Sequence, residues 1–411
     1  MIRQIFYSFG MLVIGVHFAS AEVSTLRQTV ETLSSYGSRL SGYPGAEAAA
    51  DYVENRLRSM GIESVVREPF EITVPIDKGG ELYVGEDAEP FTIYGLWPNL
   101  VRTPTLPPEG YRGEMIYGGG GDWNELNGLE LEGRVVLMEF NSWHRWLQPA
   151  SLGARAIVFI EPEETTGEQG TAKYTTAPLD IPRYWIDRES GLRLKDRLLK
   201  SPSSVLIKGR MDWERKTAWN IWAKIPGTDP KYADENILIE SYYDGMSVVP
   251  ALAPAAEMAS SVAALLELAE HLVRNPPMRT VYLAATGAHF QAQQGLVDLI
   301  DRHARTHPYY AERMTKPFNP KLFICLDLTS QSDQLGLWNN TFSYDLKRFF
   351  VPFGRRFTTY AEEEALLLGQ NQERALVNGI SPIRGMDWST FVPGGISASG
   401  MQTLAAGIVS L

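Results

Sequence analysis

Residues 236–244 read NILIESYYD, residues 280–289 read TVYLAATGAH, and residues 321–327 read KLFICLD. Each is a short, nearly continuous apolar run that ends on a polar residue. A strand with one solvated face alternates polar and apolar positions, whereas a strand covered on both faces is apolar throughout. Between these runs lie helical patterns: MASSVAALLELAEHLVRN at 258–275 and QQGLVDLIDRHART at 293–306. Strand–helix alternation of this kind predicts an α/β fold with a mostly parallel or mixed sheet and helices on both faces.

In such sheets function sits at the carboxyl ends of the strands. Three strand ends here carry polar residues: Asp244, His289 and Asp327, with Glu257 opening the long helix. Converging carboxylates can hold a hard cation or zinc, and a buried cluster of acids needs a cation or a proton to offset its repulsion. Each residue also has an ordinary structural role open to it. Asp244 and Asp327 can cap the loops that follow their strands, Glu257 suits a first helical turn, and His289 can be a core histidine.

Upstream the texture differs. Residues 46–61 read as a helix stopped by Gly61, after a break at SSYGSRLSGYPG (34–45), and ESVVREPFEI (63–72) alternates as a strand. From about 85 to 215, turn-rich stretches separate short apolar strands such as RVVLMEF and RAIVFI, the texture of a compact β-rich module. Gly118–Gly121 lacks the spacing of a phosphate loop or a dinucleotide fingerprint and reads as a structural turn. At the start, residues 1–21 combine one arginine, a short apolar stretch and Ala19-Ser20-Ala21, the pattern of a signal peptide. The alternative for that segment is an uncleaved membrane anchor.

Composition narrows the field. The 411 residues are 44% hydrophobic and 21% charged, enough for a large core, and at roughly 150 residues per domain they suit two or three domains. A net charge of −11, with no basic stripe, argues against nucleic-acid binding. One cysteine, Cys325, excludes an intramolecular disulfide and cysteine-built zinc sites. An exported chain with so little cysteine fits a bacterial envelope, periplasmic or secreted.

The order of these motifs resembles metallopeptidase family twenty-eight, the di-zinc aminopeptidases and their glutamate-carboxypeptidase-like relatives. SRLSGYPGAEAAADYVENRLRSMGIESV resembles the family's N-terminal helix, and WNIWAKIPGTDPKYADENILIESYYD its first core strands. APAAEMASSVAALLELAEHL resembles the metal-bearing helix start, and RTVYLAATGAHFQAQQGL the strand that ends in the catalytic acids. YGGGGDWNELNGLELEGRVVLMEF and ASLGARAIVFIEP are similar to a protease-associated domain. After the signal peptide read at 1–21, the resemblance implies a peptidase-like domain over 22–84 and 216–411 with an incomplete C-terminal end, and a protease-associated insert over 85–215.

The resemblance also implies a ligand set that this chain departs from. The family binds two zinc ions. Its first histidine position is Tyr242 here, two residues before the retained Asp244, and its bridging aspartate is Glu257. Its general base is His289, the adjacent ligand is Phe290, and the second aspartate is kept as Asp327. The late histidine has no counterpart, because none follows His307, and Asp387-Trp388 stand where Asp-His is common. A catalytic zinc needs three protein ligands and an open position. The expectation is therefore a remnant metal site of Asp244, Glu257 and Asp327 that binds zinc weakly or not at all. Its pocket is expected to be lined by Tyr242, Tyr243, Phe290, Asp387 and Trp388 and to suit a peptide or amine. The competing expectation is an altered one-metal hydrolase using Asp244, Glu257, His289 and Asp327. A Ser-His-Asp arrangement with Ser260 or Ser261 lacks the Gly-x-Ser-x-Gly elbow. Membrane attachment requires an uncleaved N-terminal segment or a spanning region beyond Leu411.

Overall fold

The computed structural model describes residues 20–86, 89–175, 177–304, 318–328, 334–337, 356, 359–363, 366 and 379–382. The signal-peptide reading of 1–21 falls almost wholly outside them. Apart from single-turn helices, the elements in chain order begin with α1 (Ser20–Ser34), α2 (Pro44–Ser59), β1 (Ser64–Val84), β2 (Phe91–Gly95) and β3 (Tyr111–Tyr117). Next come β4 (Val135–Glu139), β5 (Ala156–Ile160), β6 (Arg183–Ile186), α3 (Arg188–Leu198), β7 (Ser203–Ile225) and β8 (Asn236–Tyr242). The last are α4 (Ala259–Arg274), β9 (Val281–Thr286), α5 (Gln294–His303), β10 (Pro320–Cys325), β11 (Gln334–Leu337) and β12 (Gly379–Pro382). The chain divides into two compact units. Of the described residues, one holds those up to Ile72, Lys216–Gly245 and those from Pro254 on; the other holds those within Thr73–Arg215 and Met246–Ala253.

In the first unit β8 is central, parallel to β9 on one side and to β10 on the other, and β9 pairs antiparallel with the end of β7. Successive residues feed opposite cores. Ile237, Ile239, Val281, Leu283 and Ala285 pack with α2 and α4 residues such as Val53, Leu57, Val262, Leu265 and Leu266. Leu238, Tyr282 and Ala284 pack instead with Leu296, Leu299 and Ile300 of α5 and with Phe318 and Phe323. This two-sided burial is why the strands carry no polar alternation. Each large aliphatic side chain so buried contributes about 1.5–3 kcal/mol. Helix α2 starts with Pro44 in its first turn, where a missing N–H costs nothing, and stops at Gly61 with φ +79°. Helix α5 can dock against the end of β9 because Gly295 faces the Gly287 carbonyl so closely that a Cβ would clash with it.

In the second unit the strand order is β1-β2-β6-β5-β4-β3-β7, and β1 also pairs with β7, so the sheet closes on itself. Strands β3, β4, β5 and β6 run parallel, an arrangement that the turn-rich texture of this region did not disclose. The Gly118–Gly121 stretch is the structural turn expected of it. Gly119 and Gly121 have positive φ, and the turn runs into a capping box between Asp122 and Glu125. Among the described residues no helix is long and apolar enough to cross a membrane.

Candidate functional site at the strand ends

Strand β8 ends at Tyr242, whose phenol donates a 2.7 Å hydrogen bond to Oδ1 of Asp327, just beyond β10. The Tyr242 ring stacks on His289, with centroids 3.9 Å apart and planes 25° from parallel. Phe290 meets both rings edge-on, at 5.5 Å and 5.0 Å. Tyr242 and His289 are 5% and 2% exposed, so this aromatic cluster fills the space between the ends of β8, β9 and β10. Burial, and then Asp327, push the Tyr242 pKa well above its ordinary value, which keeps the phenol a proton donor.

Asp244 is fully buried behind this cluster. Its Oδ2 accepts from the Ser41 hydroxyl at 3.0 Å and its Oδ1 from the His289 backbone N–H at 3.4 Å. Ser41 in turn accepts from the Ala288 N–H at 2.7 Å. Arg39, also buried, spends its guanidinium on three backbone carbonyls: Tyr243 at 3.0 Å, Pro254 at 3.0 Å and Ala255 at 2.7 Å. Burial raises the Asp244 pKa to about 7 against the opposing pull of Ser41, the His289 N–H and Arg39. Burial likewise lowers the Arg39 pKa to about 10, with Asp244 opposing. Tyr243 is structural, donating to the Trp219 carbonyl at 2.8 Å.

The surrounding loops are strained. Ala255, Ala288, Ala292 and Gln293 all have φ between +50° and +57°, a region that costs a non-glycine residue on the order of 1 kcal/mol or more. Ala288 and Ala292 bracket the stretch that holds His289-Phe290, Gln293 follows it, and Ala255 receives Arg39.

The structure therefore gathers Tyr242, His289, Phe290 and Asp327, and joins Asp244 to them through the His289 backbone. Glu257 lies in the turn before α4, half-buried. Asp244, Glu257 and Asp327 do not form a three-ligand group, and among the described residues no three His, Cys, Asp or Glu side chains do. Asp387 and Trp388 lie outside the described residues. Ser261 is structural, accepting from the Leu328 N–H at 2.7 Å.

Sequence reasoning passed over two contributors. Glu240 is wholly buried inside β8; its Oε1 accepts from Thr286 at 2.6 Å, and burial lifts its pKa to about 7. The signal was an acid inside an otherwise apolar run. The other contributor is the Arg39–Ser41 pair, whose signal was an arginine in the break between two helices.

The donor set does not fit the zinc chemistry of the resemblance. Asp327, expected from the resemblance as a retained ligand, already accepts a hydrogen bond from a neighbouring phenol, and Tyr242 and Phe290, where the resemblance expects ligands, supply rings that pack on His289.

The fold itself has counterparts. It is similar to a zinc aminopeptidase from Bacillus subtilis, with 17% identity, 94% of this chain and 83% of that one covered, and a TM-score of 0.56. A peptidase M28 precursor from Shewanella amazonensis matches at 16% identity over the same shares, with a TM-score of 0.54. The chain thus has a zinc-aminopeptidase-like α/β fold. No protein-family model matches the sequence, and no curated protein does.

Proposed function

We propose that this chain is an exported, peptidase-like protein of the cell envelope, impaired in metal-dependent hydrolysis, that works by binding a peptide or amine at its strand-end site. The observation that carries this reading is the Tyr242–Asp327 hydrogen bond under the His289 stack. It gives Asp327 Oδ1 a hydrogen-bond donor without a metal, and it leaves His289 packed against a ring on one face. Without a zinc-lowered water pKa, His289 would have to activate ordinary water, a far harder reaction. In the same reading the second unit is a protease-associated insert. The four positive-φ residues around the cluster fit a binding site, since such strain persists where function keeps it.

The test is metal content and turnover on one sample. The purified chain, incubated with zinc and exhaustively dialysed, is expected to retain well under one equivalent and to turn over none of a panel of aminoacyl reporter substrates. One tightly held metal with turnover would overturn the proposal and establish a divergent one-metal hydrolase using Asp244, Glu257, His289 and Asp327.

A further inference from the structure

A second buried ionisable cluster lies in the second unit, away from any residue used above. Lys173 is fully buried, and its Nζ donates to the Trp143 carbonyl at 2.9 Å. The amine also lies over the rings of Phe140 and Phe159, at 4.7 Å and 5.3 Å. The charged group facing it is Arg183 of β6, itself 2% exposed, which donates to the Lys173 carbonyl and to that of Trp97, the latter at 2.7 Å. Arg183 rests on the Trp146 ring at 4.8 Å. Tyr174 faces Arg183 and is held un-ionised by burial. Glu139, at the end of β4, is taken by Lys195 at 2.8 Å and Tyr117 at 2.6 Å. Among the described residues, therefore, neither buried cation has an acid partner. Aromatic faces and carbonyls recover only part of the hydration an ammonium loses on burial.

What Lys173 holds is unusual. Trp143 adopts φ +49°, and its side chain is 46% exposed. Its backbone is tied at both groups: the N–H to Gln169 Oε1 at 2.9 Å and the carbonyl to Lys173. A strained turn is thus pinned, from the segment 167–173, by two side chains that reach under it.

We infer that Lys173 is a protonation-controlled latch on the Trp143 turn. The uncharged amine closes the turn at no charge cost, and the ammonium, beside Arg183 with no acid to meet it, loosens it. The pH window follows from burial, which lowers the Lys173 pKa from 10.5 to about 7. Opening returns the amine to water, so between about pH 7 and 10.5 the open state binds one more proton than the closed state. Opening therefore becomes about tenfold more frequent for each unit the pH falls, and levels off below about pH 7.

The experiment is hydrogen exchange with mass spectrometry on the full chain at pH 7.0 and 8.5, corrected for intrinsic exchange, on the parent and Lys173→Met. Peptides covering 141–146 and 167–175 should be about fifteenfold better protected at pH 8.5 than at pH 7.0 in the parent, because the closed amine is half protonated at pH 7.0, and equally protected at both in the variant. Equal slopes in the two proteins, or no slope in the parent, would overturn the latch. If Lys173→Met does not fold, NMR titration of lysine-labelled parent decides. One lysine side chain should titrate near neutrality, and titration of every lysine above pH 9 would refute the inference.

Discussion

Replacing Tyr242 with phenylalanine removes one oxygen and leaves the ring, so it isolates the Tyr242–Asp327 bond from the stack on His289. A hydrogen bond to a charged group contributes about 1.5–3 kcal/mol. Asp327 is half-buried, so water can reach it once the phenol has gone, which places the loss at the low end, about 1.5 kcal/mol. The stack, worth about 0.5–1.5 kcal/mol, is retained. A chain of two compact units need not unfold in one step, so a global denaturation midpoint is the wrong readout. Hydrogen exchange in peptides covering 236–244 and 281–290 reads the strand ends directly. A loss of about 1.5 kcal/mol corresponds to roughly tenfold faster exchange there, with peptides from 135–160 unchanged. A change of less than twofold at the strand ends, with circular dichroism intact, would refute the reasoning: Asp327 would then need another partner, and a cation would again be a contender.

Two further outcomes concern the same strand ends. The double variant Tyr242→His with Phe290→Glu restores ligand types at both replaced positions and frees Asp327, so zinc affinity by competition with a chromophoric chelator should rise at least about tenfold; no rise would show that the site is misplaced. Glu240 has a folded pKa raised to about 7, so its contribution to stability is full below its ordinary value of 4.5 and is lost as pH climbs through 7. Glu240→Gln should therefore roughly halve the fall in stability of the first unit between about pH 4.5 and 7, since Asp244 keeps its own share, measured by hydrogen exchange of peptides covering 236–244 at fixed pH, while an unchanged slope would place the titration elsewhere.

Much of the first unit was legible because burial on both faces of β8 and β9 leaves an unmistakable imprint, a nearly continuous apolar run with Glu240 and Ser241 as interruptions in β8. The helices between the strands were equally plain. The parallel run β3–β6 was not, since four- to seven-residue strands joined by single-turn helices carry too few positions to show a period. The site was legible in part. Asp244, His289 and Asp327 stand at strand ends because that is where a sheet can release a side chain from its ladder. Whether such residues meet a cation or one another depends on side-chain direction, which spacing does not encode. The role of Arg39 was out of reach for a related reason: its three acceptors are backbone carbonyls 204 to 216 residues away in the chain, and any residue supplies a carbonyl.

The acids at the strand ends share one electrostatic pattern, and it bears on the metal question more directly than any single substitution. Asp244 meets a hydroxyl, a backbone N–H and the field of Arg39; Asp327 meets a phenol; Glu240 meets the Thr286 hydroxyl. Burial moves Asp244 and Glu240 to about 7, so near neutrality each can shed its charge by taking up a proton. A metal site works the other way: its cation pulls carboxylate pKa values down and holds the acids ionised. Here protons and hydrogen bonds already balance the acids. A divalent ion entering this cluster would therefore have to displace the Tyr242 phenol and strip protons from neighbours whose burial favours keeping them. On these grounds zinc should compete poorly for the strand ends at neutral pH and better above it. A zinc affinity that did not rise between pH 6.5 and 8.5 would contradict this balance.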